Sequence, residues 1–193
     1  MNNTASMATQ ILDVAQHLIQ TRGYNAFSYA DIAAQVGIRT ATIHYYFPTK
    51  ADLGREVVIR YRSSLRATLA RLEQEEDDDA DKLKGYIQAC RQIIDQGTRL
   101  CVCVMLMADF ETLSDEIRRE VEGFDADNVA WLTRVLASGR AAGVFRFAGP
   151  VEAEAQLIFS TVEGAELLAR GSGTVARFDV ATRQLLEELG VNL

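Results

Sequence analysis

An all-α fold is the class that this 193-residue sequence predicts. Apolar residues recur at the three-to-four-residue spacing of amphipathic helices along most of the chain, and the alternation typical of strands is almost absent. The only two prolines are Pro48 and Pro150, so long helices can run uninterrupted between them. The composition, 48% apolar and 24% charged, is that of a globular protein and excludes disordered or collagen-like chains. We expect about nine helices and no internal repeat.

The first two predicted helices are delimited by glycines and by a cap. Gly23 ends the first helix and Gly37 ends the second after about two turns, as glycines do when they follow the last helical residue. Ser28 and Asp31 form a capping box at the start of the second helix, because Asp31 can reach back to the backbone N–H of Ser28. The apolar stripe of the first helix consists of Ile11, Leu12, Ala15, Leu18 and Ile19.

The third predicted helix is short, and a long one follows it. It spans about Thr40 to Phe47, with Ile43 and Phe47 as its inward pair at i and i+4. Pro48 breaks the chain, and a second capping box, Thr49-Lys50-Ala51-Asp52, opens the fourth helix. The apolar stripe of that long helix consists of Leu53, Val57, Tyr61, Leu65, Leu69 and Leu72.

The rest of the chain predicts five more helices. The acidic run Glu73–Asp81 separates the first of them from the fourth helix, and we expect it to be a solvated helix end or loop, since like charges repel. Leu100–Met107 is apolar on every side and is interpreted as a short buried helix, because there is no second strand candidate to pair with it. Long helices then begin near Ser114 and Pro150, and the last ends near Gly190.

Two short helices joined by a tight turn at Gly37 predict a helix-turn-helix, with Thr40–Phe47 as the recognition helix. A two-turn helix fits the major groove of DNA, which is about 12 Å wide. Residues 1–64 hold six basic and four acidic residues, a net charge of +2. Since the net charge of the whole chain is −7, the remaining residues carry a net charge of −9. A mildly basic head on an acidic body fits a DNA-reading module attached to a second function.

The segment AFSYADIAAQVGIRTATIHYYFPTKADL resembles the signature of TetR-type transcriptional regulators. That signature has a capped helix, a glycine turn, a recognition helix ending in two aromatic residues and Phe, and a lysine that opens the next helix. The resemblance covers about residues 8–60. It implies a ligand-responsive repressor, released from a palindromic operator by a small molecule. It also implies a helix-turn-helix domain over residues 1–50, with the start of the linking helix to about residue 64, and a helical effector-binding and dimerisation domain over residues 51–193.

The resemblance assigns roles to individual residues around the helix-turn-helix, about Ser28 to Phe47. The recognition helix contacts base edges or adjacent phosphates, and the hydroxyls of Tyr29 and Tyr46 bind phosphate. The ammonium of Lys50 and the free backbone N–H groups at the start of its helix together form an anion site. Two positions depart from the family pattern: Arg39 replaces a small capping residue and is expected to face phosphate, and His44 replaces tyrosine. The expected DNA-binding set is Tyr29, Arg39, Thr40, Ala41, Thr42, His44, Tyr45, Tyr46 and Lys50.

Purely structural roles remain open for three of these residues. Tyr45 and Tyr46 are also compatible with ordinary aromatic packing. Lys50 is also compatible with a solvated surface position.

The C-terminal helices supply candidates for the ligand pocket and the dimer interface that the resemblance implies. Met and aromatic residues at helical spacing are compatible with a pocket and equally with plain core. Cys101 and Cys103 near a helix start raise the alternative of a thiol-based redox or electrophile sensor, against that of inert buried thiols. The last two long helices carry small residues that permit close approach, so we expect a homodimer through them. The pocket candidates are Leu100, Cys101, Met105, Phe110, Phe124, Trp131 and Phe159.

Other functional classes find little support in the sequence. No apolar run approaches the 18 or more residues of a membrane span, and no secretory signal precedes the first helix. The odd number of cysteines argues against a disulfide framework and favours a reduced, cytoplasmic chain. No Cys and His spacing fits a zinc site, so we expect neither metal nor cofactor. An all-helical enzyme with an incidental helix-turn-helix stays an alternative without a nucleophile–base pair or phosphate loop to support it.

Overall fold

The computed structural model describes residues 6–94 and 97–191, and over these residues it contains nine α-helices and no strand. The all-α prediction is therefore confirmed, as is the number of helices. Two single 3-10 turns, Tyr24–Ala26 and Phe110–Thr112, lie between helices. The helices are α1 (Met7–Arg22), α2 (Tyr29–Val36), α3 (Thr40–Tyr46), α4 (Lys50–Glu75), α5 (Asp79–Ile94), α6 (Val102–Ala108), α7 (Asp115–Ala141), α8 (Val151–Ser172) and α9 (Ala176–Glu188).

Local capping explains the boundaries of the N-terminal helices. The Ser28 N–H donates to Asp31 Oδ2 at 2.8 Å, and the Thr49 N–H donates to Asp52 Oδ2 at 2.9 Å, so both predicted capping boxes form. Hydrogen bonds from the side chain and backbone of Ser28 are the main reason that the pKa of Asp31 is lowered. Gly37 ends α2 with a left-handed φ of 77°, which favours glycine because a Cβ is strained there.

The chain divides into two compact units. Unit 1 comprises the described part of Met1–Ser63 together with Val102–Glu122. Its core is built on the inward stripes of α1 to α4, to which α6 adds three fully buried side chains, Val102, Cys103 and Leu106. These core residues include Ile11, Ala15, Ile19, Ile32, Ile43, Leu53, Val57, Cys103 and Leu106.

Unit 2 comprises Ser64–Cys101 and the described part of Gly123–Leu193. Its helices α8 and α9 pack against each other, and α5 packs against α8. The buried helix expected at Leu100–Met107 is α6, which begins two residues later, so Leu100 and Cys101 precede it as buried irregular chain. The core of unit 2 includes Leu83, Tyr86, Ile94, Leu132, Leu136, Phe145, Ile158, Val162 and Phe178.

The acidic run Glu73–Asp81 has the structure that charge repulsion predicts. It contains the end of α4, a short non-helical link over 76–78 and the first turn of α5. None of the helices over residues 6–94 and 97–191 combines the length and the apolar character needed to cross a membrane.

Candidate functional site

Helix α3 is held in unit 1 by two apolar anchors. Ile43 is fully buried and Phe47, directly after the helix, is 6% exposed. These are the two residues that the sequence assigns to the inward face. The turn before α3 is closed by the Gly37 N–H, which donates to the carbonyl of Ala33 at 2.9 Å. With one face of a two-turn helix fixed in this way, the remaining faces are presented to solvent.

The exposed side chains of α3 are those expected to contact DNA. Tyr45 is 82% exposed and Tyr46 is 42% exposed, and their rings meet edge to face with centroids 5.2 Å apart. Packing in the core is therefore excluded for Tyr45. Thr42 is only partly exposed. The other expected DNA-contacting residues exposed on or beside α3 are Arg39, Thr40, Ala41 and His44.

The start of α3 has no side-chain cap. Arg39 occupies the N-cap position, and its side chain makes no capping hydrogen bond to the helix among the described residues. The first N–H groups of α3 and the exposed Arg39 guanidinium therefore both remain available at the same end of the helix. This is where a helix favours an anion.

Tyr29 is placed differently from the expectation that its hydroxyl binds phosphate. It is 9% exposed, and its hydroxyl donates to the carbonyl of Phe47 at 2.8 Å. Burial, followed by the charges of neighbouring groups, raises the pKa of Tyr29 to about 12. Its ring lies 4.7 Å from the imidazole of His44, whose Nδ1 is 3.1 Å from the carbonyl O of Pro48. Tyr29 thus fixes both the end of α3 and the orientation of the His44 ring.

Lys50 also turns inward. Its ammonium donates to the carbonyls of Tyr24 at 2.6 Å and Phe27 at 2.5 Å, and lies over both aromatic rings. The Tyr24 hydroxyl completes the arrangement by donating to the carbonyl of Lys50 at 3.0 Å. Burial is the main cause that lowers the pKa of Lys50. The side chain therefore ties the start of α4 to the turn between α1 and α2.

The exposed face of α3 combines the chemical groups that read a major groove. Thr40 and Thr42 offer hydroxyls that donate and accept, and His44 offers an imidazole nitrogen. The methyl group of Ala41 suits contact with a thymine methyl. Tyr45 adds a large, rigid side chain with a polar tip. A surface with this mixture on a rigid anchor is suited to sequence-specific contact with double-stranded DNA.

Known proteins match this arrangement. Residues 11–57 match the family described as bacterial regulatory proteins, tetR family. A solved structure of a TetR-family transcriptional regulator from Agrobacterium tumefaciens is 40% identical, with a TM-score of 0.90 over 94% of this chain and 96% of that one. The chain belongs to the TetR family. A TetR regulator from Legionella pneumophila is 30% identical, with a TM-score of 0.88 over 97% and 99% of the two chains.

A curated relative points to the same kind of activity. The HTH-type transcriptional repressor NemR of Escherichia coli strain K12 is 24% identical over 168 residues, 82% of this chain and 84% of that protein. The present TetR-family protein is a ligand-responsive, DNA-binding transcriptional regulator. Its relatives are regulators and not enzymes, and regulators of this family bind operators and small-molecule effectors, typically as dimers.

The expected ligand-pocket residues of this TetR-family protein fall into two separate groups. Met105 and Phe110 belong to unit 1. Met105 lies beside the end of α1, where its Cε is 3.4 Å from the position of a Cβ on Gly23, and the Phe110 ring carries the guanidinium of Arg118 at 5.1 Å. The remaining candidates, all in unit 2, are Leu100, Cys101, Phe124, Trp131 and Phe159.

The unit 2 candidates are all buried, and four of them make the following contacts. The rings of Phe124 and Phe159 have centroids 6.4 Å apart. The indole of Trp131 stacks on Tyr86 with centroids 5.5 Å apart and an interplanar angle of 29°. The Cys101 N–H donates to Glu166 Oε2 at 3.0 Å. Ordinary core packing accounts for the aromatic contacts. It does not account for the buried carboxylate of Glu166, because a charged group is rarely placed in a core.

Sequence reasoning missed an acidic pair in unit 2, in which Glu163 is half-buried with one buried carboxyl oxygen. Glu166 is fully buried, and burial raises its pKa to about 8. The hydrogen bond from the Cys101 N–H acts in the opposite direction and offsets part of that increase. Burial likewise raises the pKa of Glu163 well above its ordinary value, with further increases from Cys101 and Glu166. The buried hydroxyl of Tyr86 donates to Asn128 Oδ1 at 3.0 Å and adds a second polar element to the same region.

A signal for the pair was present in the sequence. Glu166 falls on the spacing of the buried stripe of α8, which runs through Ala155, Ile158, Val162 and Ala169. A charged residue on such a stripe is unusual, because burying a carboxylate is costly unless it is paired.

The three cysteines are all buried and free of disulfides. Burial raises the pKa of Cys90 well above its ordinary value, and the charges of Glu166 and Glu163 raise it further. A high pKa keeps this thiol protonated and weakly nucleophilic. Over the part of the chain that the structure describes, no group of three or more His, Cys, Asp or Glu side chains is placed to hold a metal ion.

Proposed function

We propose that this protein is a homodimeric repressor that binds a palindromic operator through α3 and is released from it by a small molecule held in its C-terminal domain. Residues 1–50 form the DNA-binding domain in this proposal, with the start of the linking helix to about residue 64. Residues 51–193 form the effector-binding and dimerisation domain. The observation that carries the proposal is the exposed face of α3 on its buried anchors, Ile43 and Phe47.

The roles of the DNA-facing residues follow from their exposure. Base edges are met by the outward side chains of α3, with Thr42 at the margin. Phosphates are met by Arg39 and by the hydroxyl of Tyr46, both at the flanks of the exposed face. Tyr29 and Lys50 support this surface from within, since their polar atoms are engaged with backbone carbonyls. The base-facing residues in this proposal are Thr40, Ala41, His44 and Tyr45.

An apolar surface on α8 and α9 supports the proposed dimer. Four large apolar side chains are more than half exposed there, although solvent exposure of such residues at neighbouring positions is unfavourable. Gly164 and Gly171 lie on the same face of α8, and nothing lies within 4 Å of a Cβ built on either, so a partner helix can approach closely. Two copies would bury this face as a two-fold, four-helix interface. The exposed apolar side chains are Leu157, Leu167, Leu168 and Val180.

Selection of bound DNA from a random pool tests the proposal. We expect a pseudo-palindromic site, because one α3 reads too few base pairs for specificity and the two-fold dimer doubles the number read. Leu168→Arg should then yield monomers in sedimentation and weaken binding to the full site at least tenfold, while Arg177→Glu, an exposed change on α9, serves as a charge-reversal control outside the apolar cluster. A tight monomer with unchanged affinity for the selected DNA would overturn the dimer proposal.

A thiol-based sensor is the second candidate, and the position of Cys101 favours it over the other cysteines. Cys101 lies beside the acidic pair, so a change at its sulfur would disturb that region directly. Its burial limits the access of an oxidant to the sulfur. Mild oxidation followed by reductant separates the two candidates, since only a thiol sensor loses DNA affinity and regains it under these conditions.

A further inference from the structure

One face of helix α8 is exposed to solvent at its N-terminal end and buried in the interior of unit 2 towards its C-terminal end. Glu152 and Gln156 are exposed at its N-terminal end, Phe159 is 7% exposed, Glu163 is partly exposed and Glu166 is fully buried. These residues recur every three or four positions and therefore share one side of the helix. Of the apolar α8 residues proposed for dimer contact, Leu157 and Leu168 lie on a different side, whereas Leu167 follows Glu163 by four positions and borders this face.

A groove of about 630 Å³ between α7 and α8 opens onto the shallow part of this face. Its walls are largely apolar, with Val129 and Phe159 among them, and Asp125 and Glu152 add negative charge. Arg134 at the rim is engaged, with its guanidinium 3.3 Å from Glu73. Phe159 lines the groove and lies one helical turn before Glu163 on the same face of α8, so the groove borders the deep end of that face. We call this region, from Glu152 to Glu166, the acidic groove.

Two carboxyl oxygens at the deep end, Glu163 Oε2 and Glu166 Oε1, are buried without a hydrogen-bond partner. The whole Glu166 side chain is buried, so bulk water does not replace the missing partner there. Neither Glu163 nor Glu166 forms an ion pair within the described ranges. Native proteins leave few buried polar groups unsatisfied, and two on one face of a helix indicate a place that a ligand completes.

We propose that the acidic groove binds an effector with a protonated amine on an apolar or aromatic body. This inference deepens the proposed ligand response and rests on it. The ammonium group has the donors that the two unpartnered carboxyl oxygens lack. The apolar body would lie along Phe159 and Val129, where burial is favourable, and aromatic rings near a cation add further attraction.

Protonation gives the site a characteristic pH dependence. The groups that face the pair are Asp125 from α7, Tyr86 and Cys90 from α5, and Cys101 from the chain before α6. Because burial raises the pKa of Glu166 to about 8, this acid is neutral at pH 6 in the unliganded protein. A bound cation needs the carboxylate and so releases a proton. Affinity for the amine should rise about tenfold per pH unit from pH 6 towards 8 for each proton released.

Fluorescence of Trp131, the only tryptophan of the chain, serves as the readout of binding, because its indole stacks on Tyr86 and Tyr86 lies in the field of both glutamates. The probes are 4-phenylbutylamine, 4-phenylbutanol and 4-phenylbutyrate, which share an apolar body and differ in charge. We expect the amine to bind at least about tenfold more tightly than the alcohol at pH 8, and the carboxylate to bind most weakly. Equal affinities for amine and alcohol in the wild-type protein, or a preference for the carboxylate, would overturn the inference without any variant.

The double variant Glu163→Gln, Glu166→Gln tests the residues, and it should fold, since glutamine closely resembles a neutral glutamic acid. It should lose both the preference for the amine and the rise in affinity with pH. Glu154→Gln, on another side of α8, should keep both. An unchanged preference in the double variant would refute the role of the pair.

Anisotropy of labelled operator DNA in parallel separates this inference from the proposed function. Release of operator by the amine supports both. Operator binding without any amine binding overturns only the inference. Selective amine binding that releases no operator supports the cation site and overturns the ligand-released repressor.

Discussion

The buried polar groups that support the DNA-binding helix in unit 1 have hydrogen-bond partners, whereas the acidic pair in unit 2 is only partly satisfied. In unit 1, the ammonium of Lys50 and the hydroxyls of Tyr24 and Tyr29 each donate to a backbone carbonyl. In unit 2, buried oxygens of Glu163 and Glu166 have no hydrogen-bond partner, and Glu166 lies in a fully buried position. Both arrangements place polar atoms away from water, where an unmade hydrogen bond costs about 1–3 kcal/mol.

This difference distinguishes a structural scaffold, whose polar groups are satisfied, from a site whose polar groups are available to a ligand. The satisfied groups of unit 1 hold α3 in one orientation, which suits a surface that must match the fixed spacing of DNA. The unsatisfied groups of unit 2 lower stability until something binds them, which suits a surface whose occupancy is to be sensed.

Lys50→Met should be the most destabilising of the substitutions. Lys50→Met keeps the apolar stem but leaves the carbonyls of Tyr24 and Phe27 without a donor. We expect the free energy of unfolding to fall by about 2–4 kcal/mol, with weaker binding to all DNA as a consequence. Urea unfolding and DNA titration measure the two effects, and Lys84→Met, at a surface ion pair, should change neither. Full stability with uniformly weaker DNA binding would instead assign Lys50 to phosphate contact.

The acidic pair should make the stability of unit 2 depend on pH. The pKa of Glu166 is raised in the folded state, so the native protein binds more protons than the unfolded chain above the ordinary pKa of glutamate. Stability should therefore fall as pH rises from about 5 to 8, by about 1.4 kcal/mol per pH unit, and level off above that. Glu166→Gln should lack this component in urea unfolding across the same range.

The exposed Glu187→Gln on α9 is the control for that experiment and should follow the wild-type curve. Identical pH profiles for wild type and Glu166→Gln would show that the pair is not a destabilising element, and unit 2 would then be as satisfied as unit 1.

Substituting the buried thiol should have the smallest effect. Cys101→Ser changes one atom at a position that is 1% exposed, so we expect a loss of stability of at most about 1 kcal/mol and operator affinity within about twofold of wild type. Ligand response should change only modestly. Complete loss of effector response in this variant, with DNA binding intact, would favour the thiol sensor.

Local patterns made unit 1 the more predictable of the two. Capping boxes and glycine turns act within a few residues, and the inward pair of α3 follows from helical spacing alone. The orientation of Lys50 did not follow, because its partners lie 23 and 26 residues earlier in the chain. The same reason hid the acidic pair: the burial of Glu163 and Glu166 depends on α5, α7 and the chain at Cys101, which only the tertiary fold brings together.

The division of the pocket candidates has a similar origin. Apolar residues at helical spacing look alike whether they face a core or a ligand site, so Met105 and Phe110 were grouped with Phe124 and Phe159. Their separation into two units depends on where α6 and the start of α7 pack, and periodicity carries no information on that.

The affinity of Tyr45→Ala for operator and for random DNA tests the central claim, that α3 reads DNA, most directly. Tyr45 is 82% exposed, so its removal should leave folding unchanged. Measured at several salt concentrations, the variant should lose about 1–3 kcal/mol of operator affinity, with random-sequence binding and the salt slope nearly unchanged. Equal weakening on both DNAs, or no change on the operator, would contradict the placement of this helix in the major groove.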